Sequence, residues 1–98
     1  MDLAIKIHKC LSNGCGSHEL LNVINNIVDK NMLVKVNEYF IQKYHATPHE
    51  LIGEKFETEE VFAISSTLKY IREPNQENRR ARNTFYDKIG YSLPAKAQ

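Results

Sequence analysis

Two thiols and two imidazoles cluster near the start of this chain, as His8, Cys10, Cys15 and His18. Such a donor set suits a tetrahedral zinc ion. The surrounding periodicity argues against one. His8 and Cys10 are two apart in a segment of helical period, so their side chains leave on different faces. Cys10 completes an apolar stripe and reads as a small core residue, with Cys15 exposed and both thiols free. His45 and His49 are four apart, but Thr47-Pro48 begins a helix between them and denies them a shared face. Glu54, Glu57, Glu59 and Glu60 crowd a helix start, where the positive end of the macrodipole and solvent account for them. Gly14 and Gly16 precede a helix, yet no lysine or further glycine completes a nucleotide loop. A Cys/His pair without an orienting third group or oxyanion hole makes no catalytic constellation. The expectation is a non-enzymatic chain with no metal and no cofactor.

The remaining chemistry lies near the C-terminus. Residues 1–69 carry seven Lys against nine acids, whereas residues 70–98 carry six Lys or Arg against three acids. All four arginines fall in the second part, as Arg72, Arg79, Arg80 and Arg82, although the whole chain is only +1. Arg79, Arg80, Arg82, Phe85 and Tyr86 are the candidate partner-binding residues, because arginine and aromatic side chains are favoured at protein interfaces. The same arginines, with Asn78, Asn83 and Tyr86, could instead contact phosphates and stack on bases.

These residues need elements to hold them, and the apolar period supplies six helices. Leu3, Ile7, Cys10 and Leu11 form the first stripe, with Asp2 as its cap and Gly14 as a left-handed stop. Ser17 caps the second helix, whose stripe is Leu20, Leu21, Ile24, Ile27 and Val28. After a break at residues 29–31, Leu33, Val36, Phe40 and Tyr44 make the third. Thr47-Pro48-His49-Glu50 is a capping box with proline at the first helical position, and Leu51, Ile52 and Phe56 follow it inward. Thr58 caps the fifth helix, carrying Val61, Ile64, Leu68 and Ile71, and Pro74 stops it. Asn75 caps a sixth from Gln76 to Ile89, ended by Gly90, with a thin apolar face of Ala81, Phe85, Ile89 and Tyr86. Ser92 to Gln98 has no period and is expected to fray. The fold class is all-α, a compact bundle of short helices. Residues 73–75 divide a five-helix body, 1–73, from a basic C-terminal helix and tail, 74–98.

Bulk properties agree. The 98 residues suffice for one modest core, with 42% apolar and 26% charged content typical of a globular domain. Two cysteines give no disulfide framework, no signal-peptide pattern precedes them, and no apolar run spans a bilayer. The expected location is therefore cytoplasmic, or virion-associated if the source is viral, and neither secreted nor transmembrane.

The order of elements resembles an annexin repeat. The shared features are a helix, then Gly14-Cys15-Gly16-Ser17 with an acid in the next turn, then the Leu20-Leu21 to Ile24 helix. They continue through Phe40 and Tyr44, a short helix with Leu51 and Ile52, an acidic turn, and a helix closing near Leu68. The resemblance covers roughly residues 3–72 and implies one five-helix repeat. Single repeats of this kind in phage and bacterial proteins resemble structural or docking modules. In the family, carbonyls of the first loop and a distant carboxylate bind calcium for membrane contact. Here Lys55 falls on the carboxylate position and His18 replaces the usual acid, and an ammonium group repels calcium. The resemblance therefore implies a non-enzymatic protein-interaction or structural module, such as a small phage-particle component, with a protein partner or a second copy of itself. Nucleic-acid binding through the arginine-bearing helix is the alternative. Calcium-dependent membrane binding comes last.

Overall fold

The structure, a computed structural model, describes residues 1–93. Six helices follow in order: α1 Asp2–Asn13, α2 Ser17–Ile24, α3 Lys30–Tyr44, α4 Pro48–Lys55, α5 Thr58–Arg72 and α6 Gln76–Ile89. No strand occurs among the described residues. Of the tail expected to fray, Pro94 to Gln98 lies outside them.

Local chemistry sets the helix starts. Thr47 Oγ1 accepts the Glu50 amide at 3.3 Å, and Asn75 Oδ1 accepts the Asn78 amide at 2.8 Å, so both expected caps form. Three other starts differ. Met1, not Asp2, caps α1, leaving Asp2 in the first turn. Ser17 is not a cap either: Gly16 occupies that position and Ser17 is buried at the first helical residue. On α5 the cap is Glu57, one residue before Thr58, and a reciprocal pair with Glu60 satisfies two free amides. Asp29, read as part of a break, caps α3 by accepting the Met32 amide at 2.8 Å.

The core is mainly aliphatic and draws on every helix of the first five. Ile7 and Leu11 meet Leu20, Leu21 and Ile24, and Leu33, Val36, Phe40, Ile52 and Ile64 close over them, all nearly inaccessible. Burial of each such side chain contributes on the order of 2 kcal/mol. Of the apolar stripes expected on the first five helices, one residue is outside. Because α2 ends at Ile24, the next residues turn through Asn26 N–H to Val23 O and Ile27 N–H to Ile24 O. Ile27 goes inward, and Val28 is left 76% exposed.

The glycine hinge is a helix-ending motif. Gly14 takes φ 73°, and the amides of Gly14 and Cys15 both donate to Cys10 O. This turn brings the Cα atoms of Cys10 and Cys15 to 5.1 Å, inside the range a disulfide requires, and the two are bonded. The expectation of two free thiols, one buried and one exposed, is thereby corrected. The turn makes them neighbours, and both are half-buried.

Candidate interaction surface

The helix α6 packs along α5 more extensively than any other pair of helices in the fold. Its inward face is unusual. The buried positions are Asn78, Arg82 and Tyr86, at i, i+4 and i+8, and none is aliphatic. Ala81, expected on this face, is exposed, while Phe85 and Ile89 are half-buried at its margin. Hydrogen bonds and ring contacts take the place of an aliphatic stripe.

Tyr86 lies at the centre. Its hydroxyl meets the hydroxyl of Thr67, which also donates to Ala63 O at 2.8 Å within α5. Just past the end of α2, Asn25 Nδ2 donates to Tyr86 Oη at 3.3 Å and to Tyr91 Oη at 3.4 Å. Tyr91 in turn donates to Asn22 Oδ1 at 2.8 Å. Burial raises the Tyr91 pKa above its ordinary value near 10, because an ionised phenolate would lose hydration; the Asn25 hydrogen bond opposes this. At the far end, His18 Nε2–H donates to Ile89 O at 2.9 Å, and its ring stands edge-on to Tyr91. Asn78 Nδ2 donates to Glu73 O at 2.8 Å and fastens the α5–α6 link.

The five candidate partner-binding residues therefore separate. Arg79 and Arg80 are exposed, and Phe85 is half-buried. Tyr86 is 3% exposed and Arg82 8%, so these two sit beneath the surface rather than on it. The physical reason is the helical period: 82 and 86 share the buried face with 78, whereas 79 and 80 turn away from it. Arg82 lies over the Tyr70 ring at 4.6 Å. Beside Phe85 is a residue the period assigned to neither face, Phe62 of α5. It is 48% exposed, its ring centroid is 5.4 Å from that of Phe85, and Lys88 Nζ lies 5.3 Å from the Phe85 ring.

The N-terminal donor set does not converge. His8 stacks on Tyr44 at 3.6 Å between ring centroids and meets Phe40 edge-on. His18 points to α6, and the two sulfurs are bonded to each other. Among the described residues, no group of three or more His, Cys, Asp or Glu is arranged to hold a metal. His45 ends α3 in the left-handed region at φ 57°, while His49 lies in the first turn of α4, so they share no helix. No helix among the described residues is long and apolar enough to cross a membrane.

Thr67, Asn22, Asn25 and Tyr91 were not singled out by sequence reasoning. A signal for Tyr91 was present, because a large side chain directly after a helix-ending glycine commonly packs back on the last turn. Compared with protein-family models, curated proteins and solved structures, the chain matches none.

Proposed function

We propose that this chain is a non-enzymatic protein-interaction module that meets its partner through the outer surface of α5 and α6. The observation that carries this reading is the exposed Phe62 ring packed beside half-buried Phe85, with Lys88 next to it. Aromatic rings in water lose hydration favourably on contact and are enriched in interface centres, with arginine. Arg79 and Arg80 are also exposed on α6, but six and five positions before Phe85 they lie off its face. Arg82 and Tyr86 support it from below by fixing α6 on the body. The helical order α1 to α5, with a glycine turn after α1, supports an annexin-like single repeat as the scaffold, with α6 added to it.

The test is affinity capture of native partners with the wild-type chain and with the Phe62→Ser, Lys88→Glu double variant. Both positions are exposed, so folding is expected to change by no more than about 0.5 kcal/mol. A partner retained by wild type and lost from the double variant is the expected result. Equal retention would contradict the proposed surface. Steeply salt-dependent binding of generic DNA by wild type, unchanged in Phe62→Ser, would favour nucleic acid instead.

A further inference from the structure

Arg82 has a second aspect, away from the Phe62 surface. It is 8% exposed, yet no carboxylate pairs with it among the described residues. Its Nε and Nη2 both donate to the one Oδ1 of Asn83, at 3.3 and 3.1 Å. The Tyr70 and Tyr86 ring centroids stand 4.6 and 5.4 Å from its central carbon. Aromatic faces stabilise a cation partly, but a buried charge ordinarily needs an opposite charge. Nη1 and the second Nη2 hydrogen have no protein acceptor among the described residues, and solvent reaches Nη1.

Arg82 also lines a groove of about 860 Å³, bounded by the α2–α3 turn and the C-terminal end of α5. Lys30 and Arg72 line it as well, making three cations around one opening. Its one acid is Asp29, whose Oδ1 is already engaged in capping α3. The rest of the wall combines Asn25, Asn26 and Tyr70 with apolar residues. The apolar part includes Ile27, Ile71, Pro74 and the unusually exposed Val28.

We propose that this groove binds a carboxylate carried next to an aliphatic side chain, as an acidic-apolar segment of a partner protein presents it. The open edge of Arg82 matches a carboxylate with two parallel N–H···O bonds. Lys30 and Arg72 add a favourable field at the mouth, and Val28, Ile71 and Pro74 cover the aliphatic neighbour. A phosphate group fits less well. The fork could hold it, but the apolar wall gives it nothing to contact, and the turn's amides at Asn25, Asn26 and Ile27 already donate to Leu21, Val23 and Ile24 carbonyls.

The site stands apart from the proposed α5/α6 contact surface. Phe62 and Tyr70 are separated by about 12 Å along the helix axis at the α-helical rise. The two proposals can therefore fail separately.

The experiment is an NMR titration of the intact chain with acetyl-Ala-Asp-Leu-Ala-amide, with its Asn analogue, and with inorganic phosphate. The Asp peptide should give saturable shifts at the Asn25 to Lys30 amides and at Arg82 Nε–H. The Asn analogue should bind at least about tenfold more weakly, a difference of about 1.4 kcal/mol. Arg82→Lys keeps the charge but removes the fork and should abolish most of the response. Because that position is buried, the exposed pair Lys30→Gln, Arg72→Gln provides a second variant, expected to bind the Asp peptide severalfold more weakly with an unchanged Tm. Phe62→Ser should bind it as wild type does. Equal binding of both peptides, tighter binding of phosphate, or no saturable shift up to about 10 mM, the weak end of measurable affinity, would overturn the proposal.

Discussion

Two helix ends in this molecule are built on the same plan and closed by different chemistry. At the end of α1, Gly14 adopts φ 73° and the Cys15 amide donates back to Cys10 O; at the end of α6, Gly90 adopts φ 70° and the Tyr91 amide donates back to Tyr86 O. In both, the residue after the glycine meets the residue five positions earlier. The α1 pair is a disulfide, Cys10–Cys15, and its effect is local. The α6 pair is two tyrosine rings 4.8 Å apart, and their hydroxyls reach Thr67 on α5, Asn22 on α2 and Asn25 just beyond it. One plan thus yields a closed turn in one place and a junction between three helices in the other. What the side chains carry beyond the turn decides which.

The comparison can be pressed by mutation. Tyr86→Ala should have the largest effect. It removes a buried ring, its contact with Tyr91 and the Thr67 bond together, and should cost about 3–5 kcal/mol in urea unfolding. A loss below about 1 kcal/mol would mean that the junction does not hold α6. Cys10→Ser with Cys15→Ser should cost less, on the order of 2 kcal/mol, since so short a loop restricts few unfolded conformations. Circular dichroism melts of oxidised and reduced wild type should differ by a similar amount, with the helix content unchanged.

The smallest expected effect is on pH dependence. Burial raises the Tyr91 pKa above its unfolded value near 10, so the neutral phenol is the form the fold favours. Its contribution is fully present below pH 10 and is lost as pH rises toward the folded pKa, because the unfolded chain gives up that proton first. Stability measured between about pH 9 and 11 should fall less steeply in Tyr91→Phe than in wild type. An identical slope would place the alkaline loss on other tyrosines.

Much of the architecture was legible in the sequence. Leu20, Leu21, Ile24, Leu33, Val36, Phe40, Ile52 and Ile64 stand where a helical period puts an apolar stripe, and they are the core. Thr47 and Asn75 announced their helices because a cap is local chemistry. The α6 junction was not legible in the same way. Tyr86 was read on the inward face, but Asn78 and Arg82 share its spacing with the wrong polarity, so an apolar count chooses Ala81 instead. Their burial depends on Thr67 and Asn25, which are distant in the chain. The candidate surface was half legible for the same reason: Arg79 and Arg80 are exposed, whereas Arg82 and Tyr86 lie beneath. The disulfide depended on the turn geometry at Gly14, which two cysteines alone do not specify.

The central claim is that α6 is held to α2 and α5 by the Tyr86–Tyr91 junction as firmly as the aliphatic core holds itself. Native-state amide hydrogen exchange tests it most directly. The Arg82 to Tyr86 amides should open with the same free energy as those of Phe40 and Ile64, in one cooperative unfolding event. Exchange of α6 at a distinctly lower opening free energy, with the core still protected, would contradict it.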